Sequence, residues 1–349
     1  MKRSLKIFTL LVGITLLVVP VAWPQTQPGK KITIKLSHGY PIGYIRHQSA
    51  VKFKELLEKE TNGRVAVEIY PSGQLYKIAE EGEALAMNHV QMIACAGGTP
   101  AKFVGEWNVF FMPTVFYCTP TDIKHLLEFE NSEVCRKYIT SKLEAKGVHF
   151  VGFFPSCTSG ELSTVKRPVR KIEDFKGLKI HNVFGRAYYM LYELLGGSNQ
   201  AIPGPDRVMA MSTGMVDGEQ GNVDNIVGWG YPIKYVHEWG EIMGGHGGAS
   251  MLMNLAFWNS LPSDIKKIIT EKVVPEAKAW TVTEMFKVEA KAREKLKSQG
   301  VEFVQLSPEL KEQVVAKTAK PIRDWFLKQY PESGPPILAE AARLHPLKK

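Results

Sequence analysis

Residues 166–182 read K-R-P-V-R-K-I-E-D-F-K-G-L-K-I-H-N, and the fold can be worked outward from them. Pro168 fixes its own φ and carries no N–H, so a new element begins there. Ile172-Glu173-Asp174-Phe175 predicts one short helical turn, closed by Gly177 at a position that favours a left-handed residue. Leu178-Lys179-Ile180 then alternates into a buried strand that stops at His181 and Asn182. Ligands of α/β proteins gather at the carboxyl ends of strands. The stretch therefore places His181 and Asn182 to meet a ligand, while the residues before them deliver the strand.

The same grammar runs on both sides of it. Ile32, Ile34 and Leu36 alternate into a first strand that ends at Ser37-His38-Gly39-Tyr40-Pro41. Ala50, Phe53, Leu56 and Leu57 stand at helical spacing in 46–60. Asn62-Gly63 turns the chain into a second strand (Val65, Val67, Ile69); a helix over 78–88 and the apolar strand 91–95 follow. This β-α-β-α-β order predicts a parallel sheet with crossover helices. Further on, 122–146 reads as helix and 149–154 as a strand running into the small-residue loop 155–160. Helices over 186–195 and 206–213, the latter N-capped by Asp206, precede a strand and loop at 216–220. The glycine- and aromatic-rich tract 228–248 resists assignment, and 251–254 reads as a returning strand. The longest helical pattern covers 262–299. At about 1.5 Å per residue it exceeds 50 Å, so it must span two halves of the molecule, with a kink expected at Pro275.

The chain has 349 residues, enough for two domains, and a formal charge of +9. Lys2, Arg3 and Lys6 precede an uncharged apolar run from Ile7 to about Val21, the pattern of a secretory signal peptide over residues 1–22. An uncleaved anchor is the alternative. Removing residues 1–22 takes away three positive charges and no negative ones, leaving +6. The remaining positives are scattered among acids, without basic runs or interleaved aromatics, which argues against nucleic acid as a partner. No later stretch reaches membrane length, so the mature chain is expected not to be membrane-embedded. The four cysteines (Cys95, Cys118, Cys135, Cys157) contain no CxxC pair. Cys95 reads as a buried small hydrophobe, and pairing of Cys157 with Cys135 or Cys118 stays open.

Catalytic signatures are missing. There is no G-x-S-x-G elbow, no GxGxxG and no Walker motif. His237 and His246 lack metal-ligand spacing. Glu161 and Glu219 could form a carboxylate pair, although structural roles are commoner for carboxylates on separate strands. No metal or cofactor is expected, and no enzyme. What remains is a set of strand ends carrying polar and aromatic groups: His38 and Tyr40, Gly97 to Thr99, Ser156 to Glu161 with Thr158 among them, His181 and Asn182, and Glu219 to Asn225 with Asn222 among them. Such a lining between two α/β domains suits reversible capture of a small molecule.

Five further pieces, in order, carry a resemblance. They are T-N-G-R (61–64) followed by Y-P-S-G-Q-L (70–75), K-R-P (166–168) through E-D-F-K-G-L-K-I (173–180), G-M-V-D-G (214–218), and F-W-N-S-L-P (257–262) before the long helix. Together they resemble the solute-binding proteins of TRAP (tripartite ATP-independent periplasmic) transporters, of the dicarboxylate type. The resemblance implies a two-domain, periplasmic-binding-protein-like α/β fold with a long helix spanning both domains. Domain I would comprise 31–155 and 247–285, and domain II 156–246 and 286–340. It also implies a periplasmic receptor that delivers a small organic solute to small and large membrane subunits, without ATP hydrolysis. An ABC-type or sensor-associated receptor is the nearest alternative. A secreted enzyme using Glu161, Glu219 and His181 is the more distant one.

The chain also departs from the family at its ligand. Members usually place an arginine directly after G-L-K-I, where it clamps the ligand carboxylate bidentately; here that position is His181. Gly160-Glu161 stands where a second arginine is common. Gly221, beside Asn222, replaces the asparagine usual after D-G-Q-E. A neutral imidazole is a weaker carboxylate partner than a guanidinium. The expectation is a ligand not gripped as a typical dicarboxylate: a neutral, hydroxylated, aromatic or even cationic organic solute, with Glu161 and Glu219 as acceptors and Tyr40 and Phe154 as stacking surfaces, unless Arg186 takes over the clamp.

Overall fold

The computed structural model describes residues 31–116, 119–120, 122–156, 161–182, 185–202, 206–239, 242 and 249–344. Eleven strands occur among them, in chain order β1 (Ile32–Ser37), β2 (Val65–Tyr70), β3 (Met92–Cys95), β4 (Val148–Phe153), β5 (Glu161–Thr164), β6 (Lys179–His181), β7 (Ser198–Gln200), β8 (Gly218–Gly221), β9 (Tyr235–Glu238), β10 (Ser250–Asn254) and β11 (Glu302–Gln305). They form two separate sheets, ordered β2-β1-β3-β10-β4 and β11-β9-β5-β8-β6-β7. Each sheet is the centre of one lobe.

In the first lobe β1 pairs in parallel with β2 and β3, as the βαβ rhythm predicts. The returning strand β10 instead runs antiparallel between β3 and β4. The carboxyl ends of β1 and β3 therefore stand together and feed the loops that begin at His38 and Ala96. In the second lobe β6 is parallel to β7 and β8, so His181 lies level with Gln200 on one side and Glu219 on the other. Three strand ends thus share one edge. The unassigned tract 228–248 contributes β9, which β11 extends in parallel. Short strands such as β5, β7 and β11 carry too few alternations to be seen as strands in isolation; their partners make them.

Helix α1 (Ile45–Glu60) buries Ala50, Phe53, Leu56 and Leu57 against the first sheet. The helix expected over 78–88 is shorter, Glu81–Ala86. The long helical run extends from Ser263 to Ser298, about 50 Å at 1.5 Å per residue. Its first part puts Ile265, Ile269, Val273 and Ala277 into the core of the first lobe, and its last part puts Ala292 and Leu296 into the core of the second. Between them Met285 packs with Tyr40, Tyr44 and Ile45. Pro275 is accommodated by a π-type turn, Ile269–Val273, directly before α2 (Val274–Ser298). The wider turn relieves the clash that a proline ring makes with the carbonyl four residues back. A second tie is C-terminal. Helix α3 (Pro308–Gln329) packs on the helix Arg186–Leu194, while α4 (Gly334–Leu344) packs on Ile123–Glu130.

Two buried histidines illustrate how polar groups are absorbed by the frame. His237 is fully buried; its Nδ1 lies 2.7 Å from the Leu162 carbonyl, and its Nε2 accepts from Val169 N–H at 2.7 Å. It is a strut between β5 and the start of the stretch quoted above, and His246 lies outside the described residues. Cys95 and Cys135 are buried free thiols, so the Cys135–Cys157 pairing is not formed; Cys118 and Cys157 lie outside the described residues. Among the described residues no helix is long and apolar enough to cross a membrane.

Candidate functional site: a cleft between two sets of strand ends

The two carboxyl edges face each other across a cavity lined by Tyr40, Arg46 and Ile78 of the first lobe and His181, Arg207, Glu219, Gln220 and Asn225 of the second. Its free volume is only about 10 Å³, the space of a single water. A solute larger than that enters only if the lobes part or the lining side chains swing aside.

Both cations of the lining are arginines set in the first turn of a helix. Arg46 follows Ile45 at the start of α1, and its guanidinium lies 4.2 Å from the Tyr40 ring centroid. Tyr40 in turn stacks on Tyr44, with ring centroids 5.2 Å apart. Arg46 Nε donates to Ser156 Oγ at 3.0 Å. Arg207 opens the helix Arg207–Thr213 and is 6% exposed; its Nε donates to the Ile202 carbonyl and its Nη1 to Tyr231 Oη, both at 3.1 Å. Two guanidiniums, one from each lobe, therefore face one cavity.

The neutral lining is held just as firmly. Burial, then the charge of Arg207, pushes His181 down to about 3, so the imidazole is neutral at any physiological pH. Its Nδ1 lies 3.1 Å from both the Ile202 N–H and the Gln200 carbonyl. That carbonyl already accepts from Asn182 N–H, whereas the Ile202 N–H has His181 as its acceptor. Nδ1 is thus the acceptor, and the proton sits on Nε2, which is buried without a protein partner. Gln220 is oriented by Tyr192, whose hydroxyl donates to Oε1, and its Nε2 has no protein partner. Burial raises Glu219 to about 8 against the opposing charge of Arg207, and burial likewise raises Asp224 to about 8 against Arg46.

Behind the cavity the lobes are latched. Tyr44 Oη donates to Asn222 Oδ1 at 3.1 Å, and Asn222 Nδ2 donates to the Ser156 carbonyl at 3.2 Å. Asn225 Nδ2 also donates to Asn222 Oδ1, at 3.0 Å.

Of the residues picked out from the sequence, Tyr40, His181 and Glu219 line the cavity. The others take supporting places. His38 holds its own loop, with Nδ1 accepting from Tyr40 N–H at 3.3 Å and Nε2 facing His47 Nδ1 at 3.1 Å. The Gly97 carbonyl accepts from Trp107 Nε1, and Phe154 is packed in the core of the first lobe. Asn182 Nδ2 donates to Asn199 Oδ1, and Asn222 belongs to the latch. Glu161 is turned away to pair with Arg293 of α2, which also binds Glu238 and Glu289. Arg186 is half exposed and pairs with Glu193 on its own helix at 2.8 Å, so it does not replace the missing arginine in this arrangement. Thr158 lies outside the described residues. Gln220 and Asn225, which fall within the strand end 219–225, also line the cavity, whereas Arg46, Ile78 and Arg207 went unread. Two of them carried a signal: a cation in the first turn of a helix opposes the helix dipole and calls for another reason to be there.

Two α/β lobes, a cleft between their strand ends and a helix running through both define a bilobed solute receptor. The chain belongs to the bacterial extracellular solute-binding protein family 7, which it matches over residues 36–329. It is 31% identical to the C4-dicarboxylate-binding periplasmic protein DctP of Rhodobacter capsulatus, over 87% of this chain and 89% of that protein. Identity to the C4-dicarboxylate-binding protein DctB of Bacillus subtilis is 24%, over 84% and 82%. Among solved structures, a TRAP periplasmic solute-binding protein from Desulfovibrio salexigens with bound orotic acid is similar, with TM-score 0.79, 22% identity and coverage of 90% of this chain and 100% of that one. Another from Pseudomonas aeruginosa with bound L-malate has TM-score 0.75 and 24% identity, covering 84% and 100%. At these identities the structures speak for the fold.

Proposed function

We propose that this TRAP-type solute-binding protein captures a small organic acid in the cleft, with Arg46 and Arg207 gripping the carboxylate from opposite lobes. The observation that carries the reading is the pair of buried guanidiniums in one cavity wall, in a chain whose usual clamp position is His181. A carboxylate between them gains charge-assisted bonds from both lobes, so binding and closure favour each other. The lobes correspond to residues 31–155 with 247–285 and 156–246 with 286–340, and the protein is delivered to the periplasm by its signal peptide. Closed and loaded, it hands the solute to the small and large membrane subunits of its transporter.

The names of relatives agree with an anionic solute: the Rhodobacter and Bacillus proteins are C4-dicarboxylate-binding. The acid/base alternative loses support because Glu161 faces Arg293 while Glu219 and His181 face the cavity. Calorimetric titration of the purified chain with organic acids, neutral sugars and amines tests the proposal. Saturable binding is expected among the acids. Binding of a neutral sugar or an amine, with every acid inert, would refute it.

A further inference from the structure

The cavity wall contains acceptors as well as donors, and they are built in. Glu219 is 1% exposed and Asn225 7% exposed, and both line the cavity. Glu219 Oε1 and Asn225 Oδ1 are buried without a hydrogen-bond partner. Asn225 cannot turn its amide to cure this, because its Nδ2 is held by Asn222 Oδ1 at 3.0 Å. Gly221 makes the arrangement possible. A Cβ at that position would stand 2.6 Å from Glu219 Oε1 and 3.6 Å from Asn225 Nδ2, so any side chain there would displace the Glu219 carboxylate. The absence of a side chain at 221 and the pose of Glu219 are one feature.

Building on the carboxylate reading above, we propose that Glu219 and Asn225, given room by Gly221, read hydroxyl groups on the bound acid, so that the protein selects hydroxylated carboxylates over their deoxy counterparts. The donors of the lining (Arg46, Arg207, His181 Nε2–H and Gln220 Nε2) take the oxygens of the ligand carboxylate. A plain carboxylate brings only acceptors; it can take the proton that Glu219 keeps up to about pH 8, but it leaves Asn225 Oδ1 unpaired, and a buried unpaired group opposes binding. A hydroxyl supplies the missing proton. An ammonium group would supply one too, but it would sit in the field of the two arginines, which disfavours a cation.

Titration calorimetry on the full chain with matched pairs tests this: malate and succinate, lactate and propionate, gluconate and hexanoate, with aspartate added to the first. In whichever pair binds, the hydroxylated member is expected to bind tighter by about tenfold or more. That ratio should fall toward one in Glu219→Leu and in Gly221→Ala, each checked for a cooperative melt; if one does not fold, the other carries the test. Equal affinities within a pair would overturn the proposal. So would a ratio unchanged in the folded variants, or aspartate bound tighter than malate. If no acid binds at all, the carboxylate reading fails first and this inference with it.

Discussion

Arg207→Met is the substitution that bears hardest on the proposed clamp. The guanidinium is buried and makes two protein hydrogen bonds of 3.1 Å, to the Ile202 carbonyl and to Tyr231 Oη. It is also the cation that opposes the burial-driven rise of Glu219. Methionine keeps an unbranched apolar stem as far as the arginine Nε and removes the rest of the guanidinium with its charge and donors. For a ligand carboxylate, losing one partner of a buried charge-assisted contact costs about 3 kcal/mol, or roughly 150-fold in affinity. The effect on folding is smaller, because two opposing terms meet. Tyr231 and Ile202 lose their donor, at about 1 kcal/mol each, while Glu219 simply keeps its proton once the neighbouring charge is gone. Arg207→Lys separates charge from geometry: it restores a cation without the planar fork, and affinity should recover only in part. The assay is calorimetric titration with the tightest-binding acid, alongside thermal melts of the same samples. An Arg207→Met protein that melts within a few degrees of the parent and binds that acid within threefold would refute the clamp.

Three further outcomes follow from the geometry. Tyr44→Phe deletes the hydroxyl that meets Asn222 across the lobes; affinity should fall about fivefold to fiftyfold by titration, and a variant with unchanged affinity but a lowered melting temperature would make the contact purely structural. Stability should depend on pH with a definite sign. Glu161, Glu219 and Asp224 are raised from the ordinary carboxyl range to about 8, so their contribution is complete at low pH and is lost as pH rises toward 8. His38 and His181, lowered to about 3, and His237, lowered to about 4, act oppositely: their contribution is complete above about 6.5 and is lost as pH falls. Thermal melts should therefore peak in mildly acidic buffer, and a melting temperature still climbing between pH 7 and 9 would contradict the placement of the three acids. Arg293→Ala strips Glu161, Glu238 and Glu289 of their shared cation and should destabilise by several kcal/mol in urea unfolding; a change under 1 kcal/mol would show that the cluster adapts by protonation.

The strand endings were legible because two-residue alternation and glycine or proline stops are local signals. His181 and Glu219 were found that way, and β6–β8 pairing then sets them side by side. Glu161 was found by the same rule and misplaced, since the rule says where a residue sits along a strand and not which way its carboxylate turns. Its partner, Arg293, is 132 residues away on α2. Arg186 looked apt from its nearness to the strand end, yet an acid seven positions on, Glu193, takes it.

From its sequence alone the chain determined its two α/β lobes, the long helix through both and the strand ends that face a cleft, because periodicity and turn chemistry act over a few residues at a time. Only the tertiary structure decided which cations face the cleft, since Arg46 and Arg207 are 161 positions apart in the chain and share a cavity only once the lobes meet. It also decided which nitrogen of His181 carries the proton and why residue 221 lacks a side chain. Both depend on atoms that burial brings within about 3 Å of each other, and at that range hydrogen bonding and excluded volume decide the outcome.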